Sequence, residues 1–161
     1  MGPEDTKRVG VSFSQVQIYD RSAEIPACTW TSAHVAQGFV RRPSNASFIT
    51  LIEAGYASVR AFQSSLPGDS RYERVICIPF YAPSGDLDIG APDDWPHQNN
   101  FAIGPGYYRL CVAQNIVSDE EQDIDLFFEK LADPITHSTI VVCDINLNPP
   151  AVLLEGCPDS D

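Results

Sequence analysis

Positive charge is nearly absent from the second half of this 161-residue chain. Residues 76–161 hold two bases, Arg109 and Lys130, against fifteen acids, whereas residues 1–75 hold eight bases and seven acids. A net charge of −12 argues against a surface built to grip nucleic acid or an anionic membrane, because phosphates would be repelled. Long apolar runs are also missing: no stretch approaches 18 apolar residues, and the start, MGPEDTKRVG, has no apolar leader core. The five cysteines, Cys28, Cys77, Cys111, Cys143 and Cys157, form no C-x-x-C pair and offer no zinc-ligand spacing. Cys77, Cys111 and Cys143 lie in apolar runs and are expected to be buried, reduced thiols. These features together predict a cytoplasmic protein.

Catalytic signatures are missing as well. There is no GxGxxG, GxxxxGK[ST], GxSxG or HExxH, and His34, His97 and His137 sit in unrelated surroundings. The expectation is a protein that is not an enzyme, with no catalytic residue and no cofactor. An EF-hand loop starting at Asp119 has acids at its first three ligand positions, Asp119, Glu121 and Asp123. It then fails, with Ile124 where glycine is required and Lys130 where glutamate is required. A looser calcium site stays open only if the loop 85–95 meets 119–125 at one end of the fold.

What is present is strand periodicity. In VGVSFSQVQIYD, Val9, Val11 and Phe13 share a face before the phase shifts to Val16 and Ile18, which predicts a bulge or a strand covered on both sides. Strands are predicted over 47–54, 56–64, 72–81, 86–90, 100–103 and 107–117, and late ones over 138–145 and 151–154. Turns fall at LPGD (66–69), APSGD (82–86) and GPG (104–106). Tyr72, Arg74, Ile76, Ile78 and Phe80 form a period-two stripe, apolar except for Arg74. Short strands with regular Gly/Pro turns predict an all-β fold, a mainly antiparallel β-sandwich in a single domain over 1–161. One short helix is predicted near residues 31–38, capped by Thr31 or Ser32, closed by Gly38, and pinned by Trp30, Val35 and Phe39.

The densest charge lies in SDEEQDID (118–125). Ser118 with Glu121 fits a helix capping box, and Ile124, Phe127, Phe128 and Leu131 fit a helical stripe. Ile124, Leu126 and Phe128 equally fit a strand. A hairpin returning from 107–117 favours the strand and leaves the acids in the connecting loop.

The ordered motifs SFSQVQIYD, WTSAHVAQGFV, YERVICIPFYAPSGDLDI and FAIGPGYYRLCVAQ resemble the competence protein J (ComJ) family, over roughly residues 11–131. The carrying residues include Trp30–Thr31, Gly38–Phe39, Pro79–Phe80, Gly85, Gly106 and Tyr108. An elongated loop at 91–99 and the strands expected over 138–154 are not matched. The resemblance implies an inhibitor or immunity protein that binds a DNA-degrading nuclease, either of the DNA-entry type or a DNase toxin. The charge pattern fits such a role, since a nuclease presents a basic cleft to DNA. The candidate nuclease-binding residues are Asp86, Asp88, Asp93, Asp94, Trp95, Asp119, Glu120, Glu121, Asp123 and Asp125, with Tyr81 behind Trp95. The partner expected is a cognate DNase protein, with no nucleic acid, no membrane and no metal. The alternative is a calcium-dependent β-sandwich that binds glycan or lipid.

Overall fold

The computed structural model describes residues 6–23, 29–68, 71–93 and 99–156. Two sheets face one core. The larger has the order β1 (Thr6–Val11), β5 (Gly55–Phe62), β10 (Glu121–Leu131), β9 (Gly106–Ile116), β6 (Arg74–Ala82), β11 (Thr139–Val142). The smaller has the order β3 (Phe39–Arg42), β4 (Asn45–Ile49), β2 (Gln15–Asp20), β7 (Asp86–Gly90), β8 (Asn99–Ala102). The pairings are antiparallel except β5 with β10, which is parallel. The fold is therefore the expected all-β sandwich with one short helix.

The phase shift after Val11 is neither a bulge nor one covered strand. It is a passage between sheets: β1 belongs to the larger, β2 to the smaller, and a two-residue turn at Phe13 and Ser14 joins them. The predicted strand 47–54 likewise ends at Ile49, and residues 50–54 cross from β4 to β5 in the other sheet. The stripe from Arg74 through Ile76, Ile78 and Phe80 is fully buried, Arg74 included. The opposite face of β6 joins a second apolar cluster, in which Val75, Cys77, Cys111, Ala113 and Phe127 pack with Phe62, Leu66 and Tyr72.

Arg74 is satisfied by a fork on Asp144 (Nε–Oδ1 2.6 Å, Nη2–Oδ2 2.9 Å) and by a bond from Nη1 to the Ile49 carbonyl (2.9 Å). Gln114 donates to the same carbonyl, and its own Oε1 accepts from Gln122. Gln122 in turn accepts the backbone N–H groups of Leu51 and Ile52. One polar chain thus fastens the 49–52 crossing to β6, β9 and β10.

The helix α1 (Ser32–Gln37) begins at an N-cap Thr31 and closes on Gly38 at φ +89°, as the sequence implies. What pins it differs in part from the expectation, since Phe39 is buried in the core as expected. Val35 is half exposed, whereas His34 and Gln37 are buried. Gln37 donates to the Leu154 carbonyl and accepts from the Leu154 N–H, and His34 Nε2 bonds the Gly156 carbonyl. The predicted strand at 151–154 is instead an irregular strap across this helix, and the late strand shortens to β11.

The cysteine expectation is overturned at two positions. In the β6–β9 register Cys77 lies directly opposite Cys111, and the two sulfurs are bonded. Side chains directly opposite on one face of an antiparallel pair are close enough to bridge, and no sequence spacing announces that register. Cys143 is a free thiol, as expected, but exposed rather than buried. The bond removes the support that unpaired cysteines gave to a reducing compartment. Cys28 and Cys157 lie outside the described residues.

Two outcomes are expected. Native-state alkylation followed by non-reducing digestion labels Cys143 rapidly and recovers Cys77 and Cys111 as one linked peptide pair; free thiols at both would remove the bridge. The second concerns Asp144, whose carboxyl Arg74 holds below the ordinary carboxylate range, chiefly through their hydrogen bond. A depressed pKa contributes stability above the unfolded value, and that contribution is lost as pH falls through the folded one. Asp144→Asn leaves a buried guanidinium without its counter-charge. It should cost about 3 kcal/mol near neutral pH and flatten the acid limb of a stability-versus-pH curve. An unchanged acid limb would show that another group controls it.

Candidate functional site

The two predicted acidic loops do not gather on one face. The order of β7 separates them, since Asp86 opens the strand and Asp93 lies beyond its far end. Asp86 to Gly90 alone spans roughly 13 Å at about 3.3 Å per residue. Asp86 is exposed beside Arg21, whose N–H donates to its carbonyl. Asp88 is buried, with both carboxylate oxygens held by Arg21 at 3.0 and 3.3 Å. It is a structural counter-ion and not part of an open surface.

The second group divides as well. The β9–β10 turn is tighter than expected and β10 begins at Glu121, so Glu121, Asp123 and Asp125 stand on a strand rather than in a loop. Asp125 is buried and fully engaged. Arg60 forks onto it (2.8 and 2.7 Å), and the Tyr72 hydroxyl donates at 2.7 Å. This pairing raises the Arg60 guanidinium above its usual value, first through the side-chain hydrogen bond. Its cause is the parallel register, which sets Asp125 opposite Arg60. Asp123 is half-buried, while Asp119, Glu120 and Glu121 are exposed.

These three exposed acids are held at the end of the sandwich where Asp93 also lies. Gly55 brings the turn there. It adopts φ +140°, and a Cβ on it would run into the Glu120 carbonyl, which accepts the Tyr56 N–H at 2.9 Å. Only glycine permits that approach. A hollow runs from Ser118–Glu121 past Arg8, Gly55 and Tyr56. A second hollow, lined by Arg8, Tyr56, Ser12 and Asp93, shares Arg8, Gly55 and Tyr56 with it, and a third, lined by Ser12, Phe13, Ser14, Glu53 and Asp93, shares Ser12 and Asp93 with the second. Asp93 is fixed by the Ser12 hydroxyl (2.6 Å), and the Arg8 guanidinium lies 4.1 Å from the Tyr56 ring centroid.

Of the ten predicted residues, then, Asp93, Asp119, Glu120 and Glu121 share this end and are exposed, and Asp123 is on the adjoining strand. Asp86 is exposed elsewhere, and Asp88 and Asp125 are internal. Asp94 and Trp95 lie outside the described residues. Tyr81 stacks on Tyr107 (4.8 Å) near the end of β6, and Trp95, which it was expected to support, lies outside the described residues. The calcium alternative required the loops 85–95 and 119–125 to meet; Asp93 reaches the end where the turn lies, while Asp86 and Asp88 do not. Among the described residues no three His, Cys, Asp or Glu side chains are grouped to hold a metal. Phe13, Glu53 and Tyr56, which sequence reasoning did not select, complete the face.

The profile of the competence protein J family matches residues 8–131. The chain belongs to the ComJ family. Two solved structures share its fold. The crystal structure of ComJ from Bacillus subtilis, described as an inhibitor of the DNA-degrading activity of NucA, superposes with TM-score 0.64 at 14% identity, covering 80% of this chain and 97% of that one. The structure of crocagin biosynthetic gene J gives TM-score 0.55 at 16% identity, covering 79% and 98%. No curated protein matches by sequence. The ComJ match ends at Leu131, the last residue of β10, so β11 and the strap over α1 lie beyond it.

Internal and surface acids should respond oppositely to neutralisation. Asp125→Asn, which weakens the Arg60 fork and the Tyr72 bond, should lower stability by about 1–3 kcal/mol. Glu120→Gln with Glu121→Gln should stay within about 0.5 kcal/mol of wild type. Denaturant unfolding of both variants decides, and equal losses would mean that the turn acids are structural.

Proposed function

We propose that this protein binds and neutralises a DNA-degrading nuclease, using the acidic end formed by Asp93, Asp119, Glu120 and Glu121, with Asp123 adjoining. The observation that carries the reading is membership of the ComJ family over the segment that builds both sheets and the acidic turn. The printed role of the Bacillus subtilis structure, inhibition of NucA, points to the same partner class.

The charge supplies a mechanism. A nuclease cleft that accepts DNA is electropositive, and carboxylates offered at one end of a rigid sandwich can occupy it in place of phosphates. Complementary charge steers encounter and raises the association rate well above the neutral value. On this reading the chain is not itself an enzyme and acts where its nuclease threatens the chromosome, in the cytoplasm. Asp94 and Trp95, which follow Asp93 in the sequence and lie outside the described residues, are kept as candidates for the same contact.

The test is plasmid degradation by NucA, the nuclease that the Bacillus subtilis relative inhibits, with and without the purified protein. Its companion is binding kinetics at low and high salt. Inhibition is expected, with an association rate that falls steeply as ionic strength passes about 0.1 M, where the Debye length is about 10 Å. Neutralising Asp119, Glu120 and Glu121 together should lower the low-salt on-rate roughly tenfold and leave the fold intact. An unchanged on-rate and salt slope would reduce these acids to a solvated face.

A further inference from the structure

The turn between β1 and β2 breaks a local rule. Phe13 and Ser14 both lie in the left-handed region, at φ +54° and +56°, with Gln15 N–H donating to the Ser12 carbonyl at 3.0 Å. Two positive-φ residues closing such a turn favour Asn-Gly, because a bulky side chain there crowds its own backbone. This chain has phenylalanine at the first position, and the residue is 71% exposed. Neither backbone preference nor core packing accounts for it. The turn is nonetheless fixed: Ser14 N–H donates to the Glu53 carbonyl (2.8 Å), and Thr50 N–H donates to the Ser14 carbonyl (2.8 Å). The ring is thus presented on a braced tip.

Its surroundings indicate what it meets. Phe13 lines one hollow with Glu53 and Asp93, and that hollow shares Ser12 and Asp93 with the one lined by Arg8 and Tyr56. Tyr56 is 49% exposed. Two partly open aromatic rings, Phe13 and Tyr56, the latter with the Arg8 guanidinium 4.1 Å from its centroid, are therefore bordered by Glu53, Asp93, Asp119, Glu120 and Glu121, five acids to one base. An anionic lipid surface or a nucleic acid would be repelled by that border. A basic protein surface is attracted by it, and an aromatic ring surrounded by partly solvated charges is the usual form of a binding anchor.

We infer that Phe13 is the anchor of the partner contact, seated in an apolar socket beside the basic cleft of the nuclease, with the acids as the steering rim. This rests on the nuclease-inhibitor reading above. A pre-positioned ring loses little freedom on binding, so its contribution appears in the dissociation rate, whereas the acids govern association.

The experiment compares wild type, F13N and F13W with NucA, measuring melting temperature and both rate constants. Asparagine suits a left-handed turn. F13N is therefore expected to melt at or above the wild-type temperature, keep its on-rate within about twofold, and dissociate roughly thirtyfold faster, equivalent to about 2 kcal/mol. F13W should retain binding. If F13N lowers the melting temperature, F13G replaces it, since glycine tolerates the turn without strain. An off-rate within about threefold of wild type in the folded variant overturns the anchor while leaving the inhibitor reading in place. Absence of binding by wild type itself overturns both.

Discussion

A buried guanidinium organises this sandwich. Arg74 interrupts an otherwise apolar stripe and yet lies 1% exposed. A charge taken that far out of water is tolerated only with a counter-charge and with its remaining donors satisfied. Asp144 and the Ile49 carbonyl meet that demand, and they come from distant parts of the chain. Ile49 ends the last strand before the chain crosses between sheets, and Asp144 follows β11. Satisfying one side chain therefore fixes where the 50–54 crossing passes and where the C-terminal region lies. Replacement of such pairs by apolar residues can be neutral or stabilising in other proteins. The contribution here is positional: it specifies one path for the crossing.

That path reaches the acidic end. Gln122 holds Leu51 and Ile52, the crossing leads into Gly55, and Gly55 admits the carbonyl of Glu120. Ser14 is bonded to Thr50 and Glu53 of the same crossing, so the Phe13 tip and the acidic turn are braced from one segment. A docking face with fixed aromatic and carboxylate positions loses less conformational entropy on association than one made of loose loops. Beyond the family match, the C-terminal strap performs a separate task. It caps α1 through Gln37 and His34, and Glu155 meets Arg41, so it stabilises the scaffold away from the acidic end.

Much of the fold was legible because it depends on local chemistry. Thr31 and Gly38 delimited α1 through cap preferences, the period-two stripe from Tyr72 to Phe80 located β6, and the GPG turn marked the start of β9. The hairpin argument resolved 118–131 in favour of a strand. The errors share a cause. Val9, Val11 and Phe13 read as one inward face, because alternation is blind to a turn that sends β1 and β2 to different sheets. The apolar neighbours of Cys77 and Cys111 indicated burial but not that the two lie opposite each other.

The all-β class, the turns at 82–86 and 104–106, the helix ends and the location of surplus negative charge were readable from the chain alone, since each follows from backbone preference or from counting. Which of those acids stay open to solvent was settled by the fold. A carboxylate is open or internally neutralised according to the cation set beside it, and that cation arrives through long-range register. Asp125 meets Arg60 across the parallel β5–β10 pair, and Asp88 meets Arg21 beside β7. Asp119, Glu120 and Glu121 form no ion pair among the described residues, and they stand at the end that Phe13 shares.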